Sequence, residues 1–382
     1  MKNTGRIALG VRTPFVKEGD ELETIVVNSV LKTLKENNYK LEYRDIIGIT
    51  ESLLARSQGN FVTTDDIAKD IRDKFPEGEA GVIFPIMSRN RFAQTLKGIA
   101  KGLDKVYVQL SFPGDEVGNP IIATEKLLEK NIKLSDEFTA NEWREIFGND
   151  THPFTGVNYI DLYESLAPNI KITLANDPRA MLKYTKNILI SSIHRRKLDR
   201  NILISENNNT NIYDLTEVLN KENNNHGYCD FGLLGSNLSN SEEGIIKLFP
   251  RDGDKFVKNI KDLLYTETGA ETEVMLFGDG AFKCPRSGIW ELADPVVSPF
   301  YTLGLVGLPN DMKLKYLIDQ KLTEEEILER IRNNKEGIGQ LGTTPRQITD
   351  LVGSLCDLMS GSGDVGTPVI LVKRYWKKYG EE

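Results

Sequence analysis

The chain is poor in cysteine and histidine. Three cysteines (Cys229, Cys284, Cys356) and three histidines (His152, His194, His226) are spread over 382 residues. An odd number of distant thiols makes no disulfide framework, and none of the spacings matches a zinc site. The histidines are expected at the surface. Long apolar runs are also missing: none approaches the roughly 18–20 residues that cross a bilayer. The opening residues, MKNTGRIALGVRTPFVKEGDEL, meet charge too early for a secretory signal. A soluble, cytoplasmic protein with no membrane partner is expected. An excess of positive charge is absent too. The formal net charge is −8, which argues against nucleic acid as the main partner, because binding a phosphate backbone needs a positive surface. The one dense basic run, His194-Arg195-Arg196-Lys197 with Arg200 beyond, reads as a solvated turn after a strand.

Several catalytic signatures are lacking. There is no glycine-rich loop ending in Lys and Ser/Thr, no dinucleotide fingerprint, no Gly-x-Ser-x-Gly elbow and no Cys–His pair close in sequence. Nucleophilic catalysis is therefore not the favoured chemistry.

What is present is ordinary globular composition, 39% hydrophobic and 27% charged, with length for two or three domains. Strand-length apolar stretches alternate with helical patterns, so the class is α/β or α+β. Expected strands are Ile46–Thr50, Gly81–Ile86, Lys105–Leu110, Asn187–Ser191, Ile202–Ile204, Val274–Phe277 and Val369–Val372. Thr323 with Glu326 is a capping box for a helix over Glu324–Arg332. Thr344 and Pro345 start another, whose face carries Ile348, Leu351, Val352, Leu355 and Met359. Phe92, Leu96, Ile99 and Leu103 give a similar stripe to a helix opening near Ser88. Residues 206–225 are asparagine-rich at both ends and read as exposed linkers around a short helix. Residues 113–120 (PGDEVGNP) form a polar, turn-rich loop after a strand.

Three strand exits are candidate ligand sites, since ligands of α/β sheets gather there. Ala55-Arg56-Ser57-Gln58-Gly59-Asn60 offers a glycine for close approach and an arginine for a phosphate or carboxylate, or is a common strand exit. Gly278-Asp279-Gly280 ends the apolar run VMLF. Its carboxylate either ligates Mg²⁺ or Mn²⁺ beside a phosphate held by Lys283 and Arg286, or closes a turn through its own backbone. Gly235 to Gly244 (GSNLSNSEEG) crowds small hydroxyl and amide residues, suited to an anion or equally to a cap and loop. At the strand-to-helix junction Pro85–Arg91, Arg89 and Arg91 either meet an acidic ligand or are surface cations.

Taken in order, these segments resemble the γ-glutamyl ligases that add glutamate to the deazaflavin coenzyme F420. Phe15-Val16-Lys17-Glu18-Gly19-Asp20-Glu21-Leu22 resembles that family's apolar-Lys-Glu-Gly-Asp-x-Leu segment. Arg56-Ser57-Gln58-Gly59 stands where it has Lys-Ala-Glu-Gly. Ser239-Asn240-Ser241-Glu242-Glu243-Gly244 before Pro250 is similar to its Ser-Asn-x-Glu-Glu-Gly. Asp279 with Arg286-Ser287-Gly288 resembles its strand-end Asp and downstream Arg-x-Gly. The last helix, the Gly361–Gly366 loop and the strand after Pro368 also fit.

The resemblance implies a mixed α/β ligase core over residues 1–75 and 226–382, with an inserted α/β subdomain at 76–225. It implies a homodimer that uses GTP (or ATP) and Mg²⁺ or Mn²⁺ to join L-glutamate to a small-molecule carboxylate acceptor. Carried over by position, Asp279 is the metal ligand and catalytic residue, with Asn237 and Asp364 as further ligands. Arg56, Ser57, Gly59, Ser239, Asn240, Lys283 and Arg286 are the nucleotide or phosphate contacts. Three departures stand out: Asn237 replaces a family aspartate, Gly280 a threonine, and Asp364 is displaced by one place. They leave two rivals: a non-catalytic nucleotide-binding relative and a metal-dependent phosphohydrolase.

Overall fold

The computed structural model describes residues 4–88, 91–152, 156–206, 209–223, 226–240, 242–278, 281–283, 290–292, 300–309, 311–334, 347–360 and 365–378. For residues 237, 238, 281–283 and 290–292 it describes the backbone alone.

Along the chain, β1 (Ile7–Val11) leads through α1 (Leu22–Glu36) to β2 (Ile46–Thr50) and α2 (Glu51–Ser57). Then come β3 (Phe61–Thr63), α3 (Thr64–Lys74), β4 (Glu79–Ile83), α4 (Phe92–Gly102), β5 (Lys105–Leu110) and α5 (Thr124–Glu129). They are followed by β6 (Phe138–Thr139), α6 (Ala140–Phe147), α7 (Tyr159–Glu164), β7 (Ile170–Leu174), β8 (Asn187–Ile190), α8 (Arg196–Ser205) and β9 (Asn211–Asp214). Next are β10 (Asn237–Asn240), β11 (Ile245–Lys247), α9 (Gly253–Thr268), β12 (Glu273–Phe277) and the paired short strands β13 (Ala281–Lys283) and β14 (Trp290–Leu292). The chain ends with α10 (Leu314–Asp319), α11 (Glu324–Asn333), α12 (Ile348–Ser360) and β15 (Val369–Lys373). The content is α/β, as expected from the alternating patterns.

Two compact units divide the chain. The first comprises 1–57, 252–282 and 291–382; the second comprises 58–251 and 283–290. The first is built on a four-stranded sheet of order β1-β15-β2-β12. β2 and β12 are parallel, whereas β15 runs antiparallel to both its neighbours. The central strand reads Ile-Ile-Gly-Ile-Thr, and its first four residues are buried, as befits a β-branched strand covered on both faces. On one face α12 packs Ile348, Val352 and Cys356 against Ile46, Met275, Phe277 and Ile370. The expected stripe ran through Leu355 and Met359 instead. Leu355 is only partly buried and Met359 is 38% exposed.

Gly48 explains the rotation of that stripe. A Cβ there would stand 2.4 Å from Cys356 Sγ and 3.1 Å from its Cβ, so the missing side chain is what admits the cysteine row. Gly48→Ala is expected to destabilise the protein by about 1–3 kcal/mol, the usual cost of overpacking a core. Adding Cys356→Ala should restore much of the loss. Urea melts of the single and double variants check this, and an unrescued double variant would show that the clash lies elsewhere.

At one end of this sheet sits a buried ion pair. Lys373 Nζ lies 2.5 Å from Asp45 Oδ2, and the two side chains are 3% and 1% exposed. The ammonium also donates to Lys40 O at 2.6 Å, and Asp45 accepts from the amides of Glu42 and Arg374 at 2.8 and 3.1 Å.

The second unit carries a six-stranded sheet of order β6-β7-β5-β4-β8-β9. All pairs are parallel except that of the edge strand β6. Counted along the chain, the five parallel strands lie in the order third, second, first, fourth, fifth. This is the doubly wound arrangement, with its topological switch point between β4 and β8. A three-stranded antiparallel sheet, β10-β11-β3, belongs to the same unit. α3 joins it by packing on α4, where Gly98 faces Ile67 and Gly102 faces the Ala68 carbonyl.

Four expectations change here. The stretch 206–225 is not exposed linker around a short helix: Asn211–Asp214 forms β9, paired parallel with β8, and Leu215, Val218 and Leu219 after it are buried. Ile202–Ile204 lies within α8, not in a strand. Leu203 alone of that triplet is fully buried and Ile204 is 58% exposed, so the run of apolar residues had no strand-like burial behind it. β4 stops at Ile83, short of Ile86, because Phe84 takes a left-handed φ of 52° and Pro85 follows. His152 is buried, 6% exposed, edge-on to Tyr159 at 5.8 Å, rather than at the surface.

Candidate active site at the carboxyl end of the first sheet

β1, β2 and β12 point the same way, so their carboxyl ends meet at one end of the sheet together with the start of β15. The register fixes this: Val11 pairs with Val369, Val369 with Ile49, and Phe277 with Thr50. The Thr50 amide donates to Pro368 O at 2.9 Å. The residues just past these ends are Arg12, Glu51 and Gly278, with Gly366 and Thr367 just before β15. Arg12 Nε donates to Val365 O at 3.3 Å, and Thr367 Oγ1 donates to Ser360 O at 2.6 Å, tying the loop to α12.

Glu51 is the charged residue that the sequence left hidden at this end. It opens α2 directly after β2 and is only 6% exposed. A Cβ added to Gly278 would stand 3.2 Å from its carboxyl carbon and 3.3 Å from each carboxylate oxygen. The glycine thus lets a carboxylate lie against the backbone where β12 ends, one residue before Asp279. A lone acid inside the apolar run Ile46–Leu54 was the available signal for it.

Two segments that carried the family resemblance come together here. Lys17-Glu18-Gly19-Asp20 is a tight turn in which Lys17 N donates to Asp20 Oδ2 at 2.7 Å. Gly19, at φ 84°, donates its amide to Ser57 O at 2.8 Å, pinning the turn to the end of α2. Arg56 is exposed on the last turn of that helix, and buried Ser57 donates its hydroxyl to Leu54 O at 2.9 Å.

The remaining site residues divide as follows. In the second unit, Gly59 takes φ 58° in the turn before β3. Ser239 is exposed on β10, and Asn240 Oδ1 accepts from the amides of Glu242 and Glu243 at 3.0 and 3.3 Å, closing the turn to β11. Asn237 pairs with Lys247 through its backbone. Its side chain and that of Lys283 lie outside the described residues, as do Asp279, Arg286, Asp364 and Arg89 entirely. Arg91 precedes α4, where its amide is capped by Ser88 Oγ at 3.1 Å. Among the described residues no group of three or more His, Cys, Asp or Glu side chains is placed to hold a metal.

On α12, burial pushes the Asp357 carboxyl up to about 6 and raises the Cys356 thiol. An aspartate has a pKa of about 3.9 in the unfolded chain. The native state therefore holds the Asp357 proton more tightly, and stability falls as pH rises through that interval. Asp357→Asn is expected to raise the urea midpoint at about pH 8 and to give no gain near about pH 4. Equal gains at both pH values would mean that the charge is not what destabilises.

A profile of the family described as F420-0:Gamma-glutamyl ligase matches residues 10–374. The chain belongs to this family. For an F420-0:gamma-glutamyl ligase family member, the strand ends described above are the natural place to seek chemistry, and the match runs through the second unit as well as the first. Membership makes the chain a relative of ligases that add glutamate to a small-molecule acceptor. No curated protein matches it. No described helix of this F420-0:gamma-glutamyl ligase family member is long and apolar enough to cross a membrane.

Proposed function

We propose that the protein is a nucleotide- and divalent-metal-dependent amide ligase. It adds L-glutamate or a similar amino acid to a carboxylate-bearing small molecule through an acyl phosphate. The observation that carries this reading is buried Glu51 set against Gly278, one residue before Asp279, at the carboxyl end of two parallel strands in a γ-glutamyl ligase family member.

A carboxylate is a poor acylating agent. In the proposed reaction an acceptor oxygen attacks the γ-phosphorus of GTP or ATP, the bond to the β-phosphate oxygen breaks, and nucleoside diphosphate leaves. The glutamate amine, having lost a proton, then attacks the acyl carbon, and inorganic phosphate departs. Hard oxygen donors suit Mg²⁺ or Mn²⁺, and Glu51 and Asp279 are the first we assign, with Asn237 and Asp364 carried by resemblance. When bound, the ion neutralises charge on the transferring phosphoryl group. Arg56, Lys283 and Arg286 are assigned to phosphate oxygens, and Ser57, Gly59, Ser239 and Asn240 to the nucleotide. Holding the acyl phosphate and amine together supplies much of the remaining acceleration. Residues 76–225 are read as an insertion into the ligase core.

We further place the enzyme in the cytoplasm as a homodimer. Leu303, Val306 and Leu308, exposed at 86%, 59% and 47% within one short stretch, support a partner surface. Asn237 in place of an acid favours one rival, a relative that binds nucleotide without turnover.

A single assay separates the readings. The pure protein is incubated with GTP or ATP, Mg²⁺ or Mn²⁺, amino acids and a panel of carboxylates. Phosphate release that requires both glutamate and acceptor supports the ligase. Release that needs neither points to a phosphohydrolase, and tight nucleotide binding with no release points to a binding module.

A further inference from the structure

The second unit holds a feature that the ligase reading does not use. At the switch point between β4 and β8 the crossovers leave the sheet on opposite faces, opening the crevice where doubly wound sheets bind ligands. The loop after β4 and the loop after β8 border it. The polar loop after β5, Pro113 to Pro120, ties both borders with two adjacent acids. Asp115 Oδ2 accepts from the Met87 amide at 2.8 Å, on the β4 side. Glu116 accepts from the amides of Ile193 at 2.5 Å, His194 at 3.1 Å and Arg195 at 3.1 Å, on the β8 side.

Those three amides precede the first turn of α8, a helix of 10 residues whose cap residue, Arg195, makes no capping bond from its own side chain. Uncapped amides at such a helix start attract an anion. Here the anion is the carboxylate of Glu116, brought from 77 or more residues earlier in the chain. The loop that brings it is a self-contained turn. Asp115 Oδ1 also accepts from the amides of Val117 and Asn119 at 3.1 and 2.9 Å, and Gly118 takes φ 87°.

Two further buried side chains carry unpartnered polar atoms at this end of the sheet, and one of them, Ser191, borders the crevice. Ser191, the residue after β8, is 2% exposed, and its hydroxyl has no partner among the described residues. Gln109 on β5 is fully buried. Its Nε2 donates to Ala175 O at 3.2 Å and Asp177 O at 2.8 Å, which sets the amide head beyond the carboxyl end of β7, while its Oε1 has no partner among the described residues. Register puts Gln109 beside Ile83 on the sheet face shared with Ile190, and that face is covered by Leu203 of α8. Buried polar groups in native proteins are nearly always bonded, so the unsatisfied Ser191 hydroxyl beside the switch point marks room for a polar guest. Cations stand close by: the Arg195 guanidinium lies 5.1 Å from the centre of the Phe84 ring and 3.0 Å from Asp199, and Arg196 donates to Ile193 O.

We propose that the β4/β8 crevice binds a small molecule carrying an oxyanion, phosphate or carboxylate, and that Glu116 is its built-in competitor. The 113–120 loop is then a strap: it holds the crevice shut through Glu116 and yields the amides of residues 193–195 when the ligand's oxyanion takes them. A remaining polar group of the ligand meets the Ser191 hydroxyl.

The test uses the full-length protein with inorganic phosphate and, separately, glutarate as probes. Binding is followed by calorimetry and located by amide hydrogen exchange. If Glu116 competes, Glu116→Ala should bind one of the two probes about tenfold or more tightly than wild type, because the strap keeps most molecules in the closed form. Glu116→Gln, which keeps the shape and loses the charge, should fall between. Whichever probe gains identifies the source of the oxyanion. In Glu116→Ala the probe should slow exchange of the amides of 193–195. In wild type, saturating probe should speed exchange across 114–120 while 193–195 stay protected, a readout that holds even if the alanine variant folds poorly. Equal, weak binding by wild type and both variants would overturn the proposal and leave Glu116 as a structural staple, as would protection confined to residues outside this crevice.

Discussion

Glu51→Gln is expected to cut glutamate-dependent phosphate release by on the order of a hundredfold, the size seen when one charge-stabilising group is removed from a transition state. That corresponds to about 2.7 kcal/mol of barrier. Glutamine fills the same space beside Gly278 and can keep hydrogen bonds, so the fold should survive and the thermal midpoint should change little. The loss should be partly offset by raising Mn²⁺, because the variant lacks a charge that helps to hold the cation rather than a group that does the bond-making. Steady-state kinetics over a metal titration, beside a melting curve, provide the check. Unchanged turnover at every metal concentration would remove Glu51 from the site and leave the ligase reading to Asp279 alone. Gly278→Ala, which sets a methyl about 3.2 Å from the Glu51 carboxyl carbon, should give a milder version of the same defect.

Asp45→Ala carries the largest expected effect on stability. Lys373 would keep its place between β1 and β2 with an ammonium 3% exposed, its close carboxylate partner gone and only the half-exposed Glu42 carboxylate left, at 3.9 Å. Breaking a buried pair from one side typically costs about 3–5 kcal/mol, because an uncompensated charge remains in a poorly solvating interior. The amides of Glu42 and Arg374 would also lose their acceptor. Replacing both partners by apolar residues, as in Asp45→Leu with Lys373→Met, should recover most of the loss, since the desolvation penalty goes with the charges. Urea unfolding of the two single variants and the double variant decides it. A double variant no better than Asp45→Ala would assign the stability to the backbone bonds instead of the charge pair.

Much of the fold was legible in the sequence, and the failures have physical causes. Ile46–Thr50, Lys105–Leu110, Val274–Phe277 and Val369–Val372 announced themselves because each is a short, mainly apolar run that is almost wholly buried. The Thr323–Glu326 capping box formed with both of its bonds. Ile202–Ile204 misled because a short helix that buries few residues shows no clear helical period against its exposed apolar neighbours, Leu198 among them. The doubly wound strand order of the second unit could not be read at all: order is set by which crossovers pack on which face, and no local residue records that. Of the candidate site, the segments were legible but their meeting was not. Nothing in Lys17-Glu18-Gly19-Asp20 says that its glycine amide will fasten to Ser57. Glu51 carries no local signal of a site, because it stands just past the strand at the start of a helix, in a stretch that otherwise holds no charge. The one acid in such a run is costly to bury and stays only where something compensates it.

The position of β15 has a consequence for how the polypeptide is made. This strand, the last of the described strands, lies between β1 and β2, which are the first two. While the ribosome is still at work, the two early strands have no neighbour to bridge them, and their sheet can close only after translation has passed residue 373. The doubly wound unit needs no such wait: nearly all of it is one continuous stretch, 58–251, able to fold as it emerges. The architecture therefore orders the events of birth, with the nested unit maturing first and the four-stranded sheet completed last through contacts of very high sequence separation, the slow kind to form.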